Sequence, residues 1–135
     1  MEDRKEDLQR KILEFQIAES ELKVIEEREE ALIRNLEDLN RTRLALEELR
    51  NTKPNVALIP LGGSNFVHGN ITDSDSIIVG IGANIAVKKT KDQALEILDE
   101  RIRHLEQTSE KFAAQAQNIF DRLKTLQTEI EKLQK

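Results

Sequence analysis

At 135 residues and 15.5 kDa the chain has room for one ordinary domain. Only 38% of its residues are apolar, 35% are charged and the only aromatics are four Phe, which excludes a bulky single core and favours long helices with a narrow apolar seam. A formal net charge of −5 argues against nucleic acid as a partner, and the absence of Cys removes disulfides and thiolate metal sites.

The opening run Met1-Glu2-Asp3-Arg4-Lys5-Glu6-Asp7 is charged with both signs and has no apolar signal region. No apolar stretch along the chain approaches the ~20 residues that span a bilayer. A soluble, cytoplasmic chain with no membrane partner is expected.

Residues 1–53 contain neither Gly nor Pro and read as one long helix. Steps of three and four place Phe15, Ala18, Leu22, Ile25, Glu29, Leu32, Leu36, Leu39, Arg43 and Leu46 on one stripe, apolar except for Glu29 and Arg43. That is a coiled-coil seam, which Leu8 and Ile12 extend with a slight slip of phase. Asn51 and Pro54 are expected to stop the helix, because Pro lacks an N–H and pushes the preceding residue out of the α region.

Residues 54–89 hold both prolines and all five glycines, with few charges. β-branched residues dominate, and four short strands in two hairpins are expected: Val56–Ile59, Asn65–Ile71, Ser76–Ile81 and Asn84–Lys88. Thr72-Asp73-Ser74-Asp75 reads as a turn between the hairpins, and Gly82-Ala83 as a tight turn within the second. So few strands cannot make a sizeable core alone, and their apolar edges invite pairing with other chains. Val56, Leu58, Phe66, Val67, Ile71, Ile77, Ile78, Val79, Ile81, Ile85 and Val87 are the expected oligomerisation residues.

Residues 90–135 again lack Gly and Pro. Thr90 is a candidate N-cap, with Gln93 completing a capping box. Leu98, Ile102, Leu105, Ser109, Phe112, Ala116, Ile119, Leu123, Leu126, Ile130 and Leu133 keep an unbroken 4-3 repeat, apolar except for Ser109. The small Ala18, Ala113, Ala114 and Ala116 are expected to let helices approach closely.

Two helices of near-equal length around a compact insert predict an α+β chain. Its frame is a long antiparallel coiled-coil helical hairpin, with two β-hairpins inserted at the closed end and forming an oligomeric β-barrel platform. Each helix is a rod of roughly 70 Å by its rise. Facing residue numbers sum to about 141 in such a hairpin, which pairs Phe15 near Leu126 and Ile12 near Ile130.

Little in the sequence suggests catalysis. Strand-like sequence follows Gly62-Gly63-Ser64 and Gly80-Ile81-Gly82, where a phosphate loop needs a helix. Asp73 and Asp75 suit turn chemistry and lack further ligands nearby for a metal. His68 and His104 have no triad partners at motif spacing. Glu26-Glu27-Arg28-Glu29-Glu30 reads as a solvated helix face, and the sequons at Asn40 and Asn70 are inert without secretion. No cofactor is expected and no enzyme.

At the open end, Leu8, Ile12 and Phe15 are expected to face Ile119, Leu123, Leu126, Ile130 and Leu133. Frayed, such residues form an apolar patch able to bind apolar segments of other proteins. Zipped, they are the last heptads of the seam.

The insert carries a family resemblance. Val56-Ala57-Leu58-Ile59-Pro60-Leu61-Gly62-Gly63-Ser64-Asn65-Phe66-Val67-His68-Gly69 resembles the signature of prefoldin alpha subunits. Ser76-Ile77-Ile78-Val79-Gly80-Ile81-Gly82-Ala83-Asn84-Ile85-Ala86-Val87-Lys88-Lys89 resembles its second half, and Thr90 through Arg103 is similar to the start of the second helix. The look is closer to archaeal alpha subunits than to eukaryotic ones. The resemblance implies a hexamer of two alpha and four prefoldin beta subunits, whose hairpins form a double barrel bearing six coiled coils. It implies ATP-independent capture of unfolded client proteins at the coiled-coil tips and delivery to a group II chaperonin. Client contacts map by position onto Leu8, Ile12, Phe15, Ile119, Leu126, Ile130 and Leu133. A structural scaffold whose tips only zip shut, or a specialised prefoldin-like assembly factor, are the alternatives.

Overall fold

A computed structural model describes residues 2–49 and 56–135. In chain order the elements are α1 (Glu2–Glu48), β1 (Val56–Gly62), β2 (Asn65–Asn70), β3 (Ser76–Gly82), β4 (Ile85–Thr90) and α2 (Lys91–Gln134). No described helix is long and apolar enough to cross a membrane. Asn51 and Pro54, expected to stop the first helix, lie outside the described residues. The last described turn of α1 is closed by the Leu49 N–H donating to the Ala45 carbonyl at 3.2 Å.

The chain divides into two compact units. The helical unit joins Met1–Leu36 with His104–Lys135. Within it, polar links pair residues 4 with 133, 11 with 129 and 14 with 122, so the two helical segments run antiparallel near the expected register. The 4-3 spacing turns every position of both predicted stripes inward. Ala18, Ile25, Leu32 and Leu126 are buried, and the remaining stripe residues of this unit, Glu29 and Ser109 included, are half-buried. Ala113 and Ala114 are exposed, contrary to the expectation that they ease helix approach. They fall between stripe positions Phe112 and Ala116 and point away from the seam.

The second unit, Glu37–Arg103, holds the hairpins and the adjoining ends of both helices. Its core is Leu46, Ala94 and Leu98, with Leu39, Leu49, Leu95, Ile77 and Val79 packed around them. Arg43 occupies the polar seam position and is satisfied there. Its Nε donates to Asp99 at 2.7 Å and its Nη1 pairs with Glu47. Those partners hold the guanidinium above its ordinary pKa, the hydrogen bond to Asp99 foremost.

The start of α2 follows from its capping box. The Gln93 N–H donates to Thr90 Oγ1 at 3.2 Å, and the Thr90 N–H donates to Gln93 Oε1 at 3.1 Å. Lys91 is buried. Its Nζ reaches the Glu47 carbonyl at 3.5 Å, at the C-terminal end of α1 where the helix dipole favours a cation.

The four strands make two separate antiparallel two-stranded sheets, β1–β2 and β3–β4. Each hairpin turns on two central residues of positive φ, Gly63-Ser64 (57° and 65°) and Ala83-Asn84 (51° and 59°). These are the angles of a type I′ turn, whose twist matches the strands. The second turn therefore sits one residue later than the Gly82-Ala83 expected from sequence. Gly62 and Gly82 instead take φ of 112° and 106° beside the register shifts that follow Pro60 and Gly80. There only glycine is unstrained.

Candidate interaction surfaces

The first surface is the strand pair β1–β2. Val56, Leu58, Phe66 and Val67 are all exposed, as are Ile59 and Leu61, which sequence reasoning did not single out. Leu61 is the most open of these at 70%. Its position explains that, since it lies in the register shift between Pro60 and Gly62. Register puts Leu58 opposite His68 and Pro60 opposite Phe66, which groups an apolar face on one side of the sheet. On the other side Ile59 lies over Gly69: a Cβ built there would meet Ile59 Cδ1 at 2.5 Å.

The second hairpin splits its residues between two tasks. Ile77, Val79 and Val87 are half-buried, and Ile77 and Val79 lie on the Leu46–Ala94–Leu98 core. Ile78 points the opposite way and is 77% exposed, with Ile81 and Ile85 exposed near the turn. Arg101 Nη2 donates to the Gly80 carbonyl at 2.7 Å and the Lys91 N–H to the Asp75 carbonyl at 3.1 Å, fixing the strand pair to α2. Ile71 is half-buried in the connection between the hairpins. In that connection the Asp73 carboxylate accepts the Asp75 N–H at 3.0 Å, ordinary Asx-turn chemistry. His68 and His104 are exposed, and no group of His, Asp and Glu among the described residues is placed to hold a metal.

The third surface is the open end of the helical unit. Of the residues assigned there by position, Leu126 is 4% exposed, Ile12 is exposed, and Leu8, Phe15, Ile119, Ile130 and Leu133 are half-buried. Leu8 and Leu133 line a notch rimmed by Glu2, Arg4 and Lys5. Arg4 donates from Nε to the Leu133 carbonyl and from Nη2 to the Lys132 carbonyl, both at 3.1 Å. Lys11 Nζ pairs with Glu129 at 2.7 Å, and that hydrogen bond raises its pKa above the ordinary lysine value.

A fourth surface was missed from sequence. Leu13, Ile17 and Val24 are exposed on α1 and line a shallow groove with Ser20, whose floor includes Ile25 and Ile119. Their own 4-3 spacing, 13-17-20-24, was the available signal. It is a second, shorter stripe beside the seam. Phe120 is likewise exposed, with Lys124 Nζ 4.7 Å from its ring centre.

Comparison with known proteins places this arrangement. A family profile described as prefoldin subunit matches residues 18–135. The chain belongs to the prefoldin family. The prefoldin subunit alpha of Methanococcoides burtonii is 35% identical over 97 residues, covering 71% of this chain and 70% of that one. That of Archaeoglobus fulgidus is 30% identical over 117 residues, covering 81% and 85%. The resemblance to archaeal alpha subunits carried by the insert motifs therefore holds.

Two solved prefoldin structures share the fold. A filamentous PFD from Methanocaldococcus jannaschii, determined by cryo-EM, superposes with a TM-score of 0.73 at 16% identity, over 84% of this chain and 95% of that one. The prefoldin beta subunit from Thermococcus strain KS-1 gives 0.61 at 19% identity, over 93% and 90%.

Proposed function

We propose that this chain is the alpha-class subunit of a cytoplasmic prefoldin-type chaperone. In this reading it assembles through its hairpins with beta-class subunits, two alpha to four beta. It captures unfolded proteins at its helical open end without nucleotide and hands them to a group II chaperonin. No catalytic step belongs to this function.

The observation that carries the assembly half is the exposure of Val56, Leu58, Phe66, Ile78, Ile81 and Ile85 on two-stranded sheets whose outer edges have no strand partner among the described residues. A hairpin alone is marginal in water, and an open apolar edge is a template for another strand. Val67, Ile71, Ile77, Val79 and Val87 complete the assembly residues, the half-buried ones by holding the exposed ones in place. Support for the capture half comes from family membership and from the apolar residues at the open end, Leu8, Ile12, Phe15, Ile119, Leu126, Ile130 and Leu133.

The burial of Leu126 favours a second reading, a scaffold whose tips only zip shut. One experiment separates them: native mass of the chain alone and mixed with a beta-class subunit, followed by aggregation of a chemically unfolded client in the presence of the complex. Assembly with suppression of aggregation supports the chaperone. Assembly without suppression supports the scaffold.

A further inference from the structure

Of the residues assigned by position to client contact, those on α2 near its C-terminal end are wholly or partly covered in the seam. Leu126 is buried and Ile130 and Leu133 are half-buried against the N-terminal part of α1. What closes the seam there is polar and external. Arg4 satisfies two carbonyls at the C-terminal end of α2, Lys132 and Leu133, which a helix end otherwise leaves without intrahelical donors. The cation also meets the negative end of the α2 dipole. One to two turns further in stands the Lys11–Glu129 pair at 2.7 Å, and about three turns in the Glu14–Arg122 pair at 3.6 Å.

We propose that these three links are a salt-sensitive latch on the open end of the helical unit, whose release exposes Leu126, Ile130 and Leu133 to an unfolded client. The proposal rests on the client-capture reading given above. The Arg4 and Glu14–Arg122 links are solvent-accessible and the Lys11–Glu129 link is part-exposed, so each contributes little and is screened by salt. Their weakness is what makes a latch of them. Helix ends open locally at a far smaller cost than the whole fold, and several weak ties set how often this end does so. The notch lined by Leu8 and Leu133 lies at this end of the seam, beside Arg4. The exposed stripe Leu13-Ile17-Val24 needs no latch, so release would add a second apolar face to the one already open.

The test uses the full-length chain in its native oligomer. Glu129→Lys sets a like charge against Lys11, and the double variant Lys11→Glu with Glu129→Lys restores opposite charges with the positions exchanged. Two quantities are read: amide hydrogen exchange across residues 126–133, and the oligomer concentration that halves aggregation of guanidine-unfolded citrate synthase. Glu129→Lys is expected to speed exchange about fivefold and to lower the half-protection concentration about threefold. The double variant returns both to the wild-type values, and added salt moves the wild type toward Glu129→Lys.

Unchanged exchange in Glu129→Lys overturns the latch. Faster exchange with unchanged or weaker protection also overturns it, and leaves client capture to surfaces outside the seam. Absence of protection by the wild type itself overturns the latch together with the reading on which it rests.

Discussion

The two hairpins share a turn and differ in what lies beneath them. Both carry a glycine of φ above 100°, then two residues of positive φ, then the return strand. Yet β3–β4 lays Ile77 and Val79 on Leu46, Ala94 and Leu98, and is pinned by Arg101 on the Gly80 carbonyl. By contrast β1–β2 leaves Leu58, Leu61 and Phe66 in solvent. One hairpin is therefore part of the subunit's own core. The other leaves its apolar side chains uncovered among the described residues. Under the proposed function this divides stability from assembly within a single insert: β3 faces both ways, Val79 inward and Ile78 outward, and β1–β2 serves the partners.

The sharpest way to break that division is to place the same charge on each hairpin. Val79→Asp puts a carboxylate against the Leu46–Ala94–Leu98 core and is expected to destabilise the chain by about 2–3 kcal/mol, read as a lowered Tm by circular dichroism. Leu58→Asp and Ile78→Asp fall on exposed sites, 60% and 77% accessible. They should leave the isolated subunit's stability within about half a kcal/mol of wild type, with little change in Tm, and abolish assembly on native mass measurement. Equal losses of Tm for Val79→Asp and Leu58→Asp would show that the hairpins are not divided in this way.

A smaller effect probes the pin. Arg101→Met removes the charged hydrogen bond to the Gly80 carbonyl and should cost about 1 kcal/mol. Faster amide exchange should be confined to β3 and β4, leaving β1 and β2 at wild-type rates. Thr90→Ala, which removes one half of the capping box, should cost a similar amount, about 1 kcal/mol. That loss should appear in the first turn of α2 and not in either hairpin turn.

Most of this frame was legible in the sequence because its signals are periodic or local. The two stripes need only the 4-3 spacing, and a polar intruder such as Arg43 does not break them, because Asp99 and Glu47 are within reach. Thr90 and Gln93 announce the cap by spacing alone. What escaped was decided by angle and by third parties. Gly82-Ala83 looked like the turn because glycine favours positive φ, but the register shift places Gly82 before the turn and moves Ala83-Asn84 into it. Alternation along β3 says that Ile78 and Val79 face opposite ways, but not which of them meets the helices. At the open end, no periodicity reveals that Arg4 closes on α2 carbonyls, since that contact depends on where two helix ends meet. The flank stripe Leu13-Ile17-Val24 was visible in principle and was eclipsed by the longer seam beside it.

The smallest predicted effect tests whether the shared turn is as alike as its angles. Ser64 at φ 65° and Ala83 at φ 51° are L-residues in the left-handed region, which costs roughly 1–2 kcal/mol relative to glycine. Ser64→Gly and Ala83→Gly remove that strain and give back part of it as added freedom in the unfolded chain. A net gain of about 0.5 kcal/mol at each is expected. Where the gain appears should differ. Because β3–β4 is joined to the core, Ala83→Gly should raise the Tm of the subunit. Ser64→Gly should leave that Tm unchanged and slow only the amide exchange of β1 and β2, since β1–β2 can open without disturbing the core. If Ser64→Gly raises the Tm as much as Ala83→Gly does, β1–β2 folds and unfolds together with the core, and its exposed face is carried by a rigid element rather than by one that partners must stabilise.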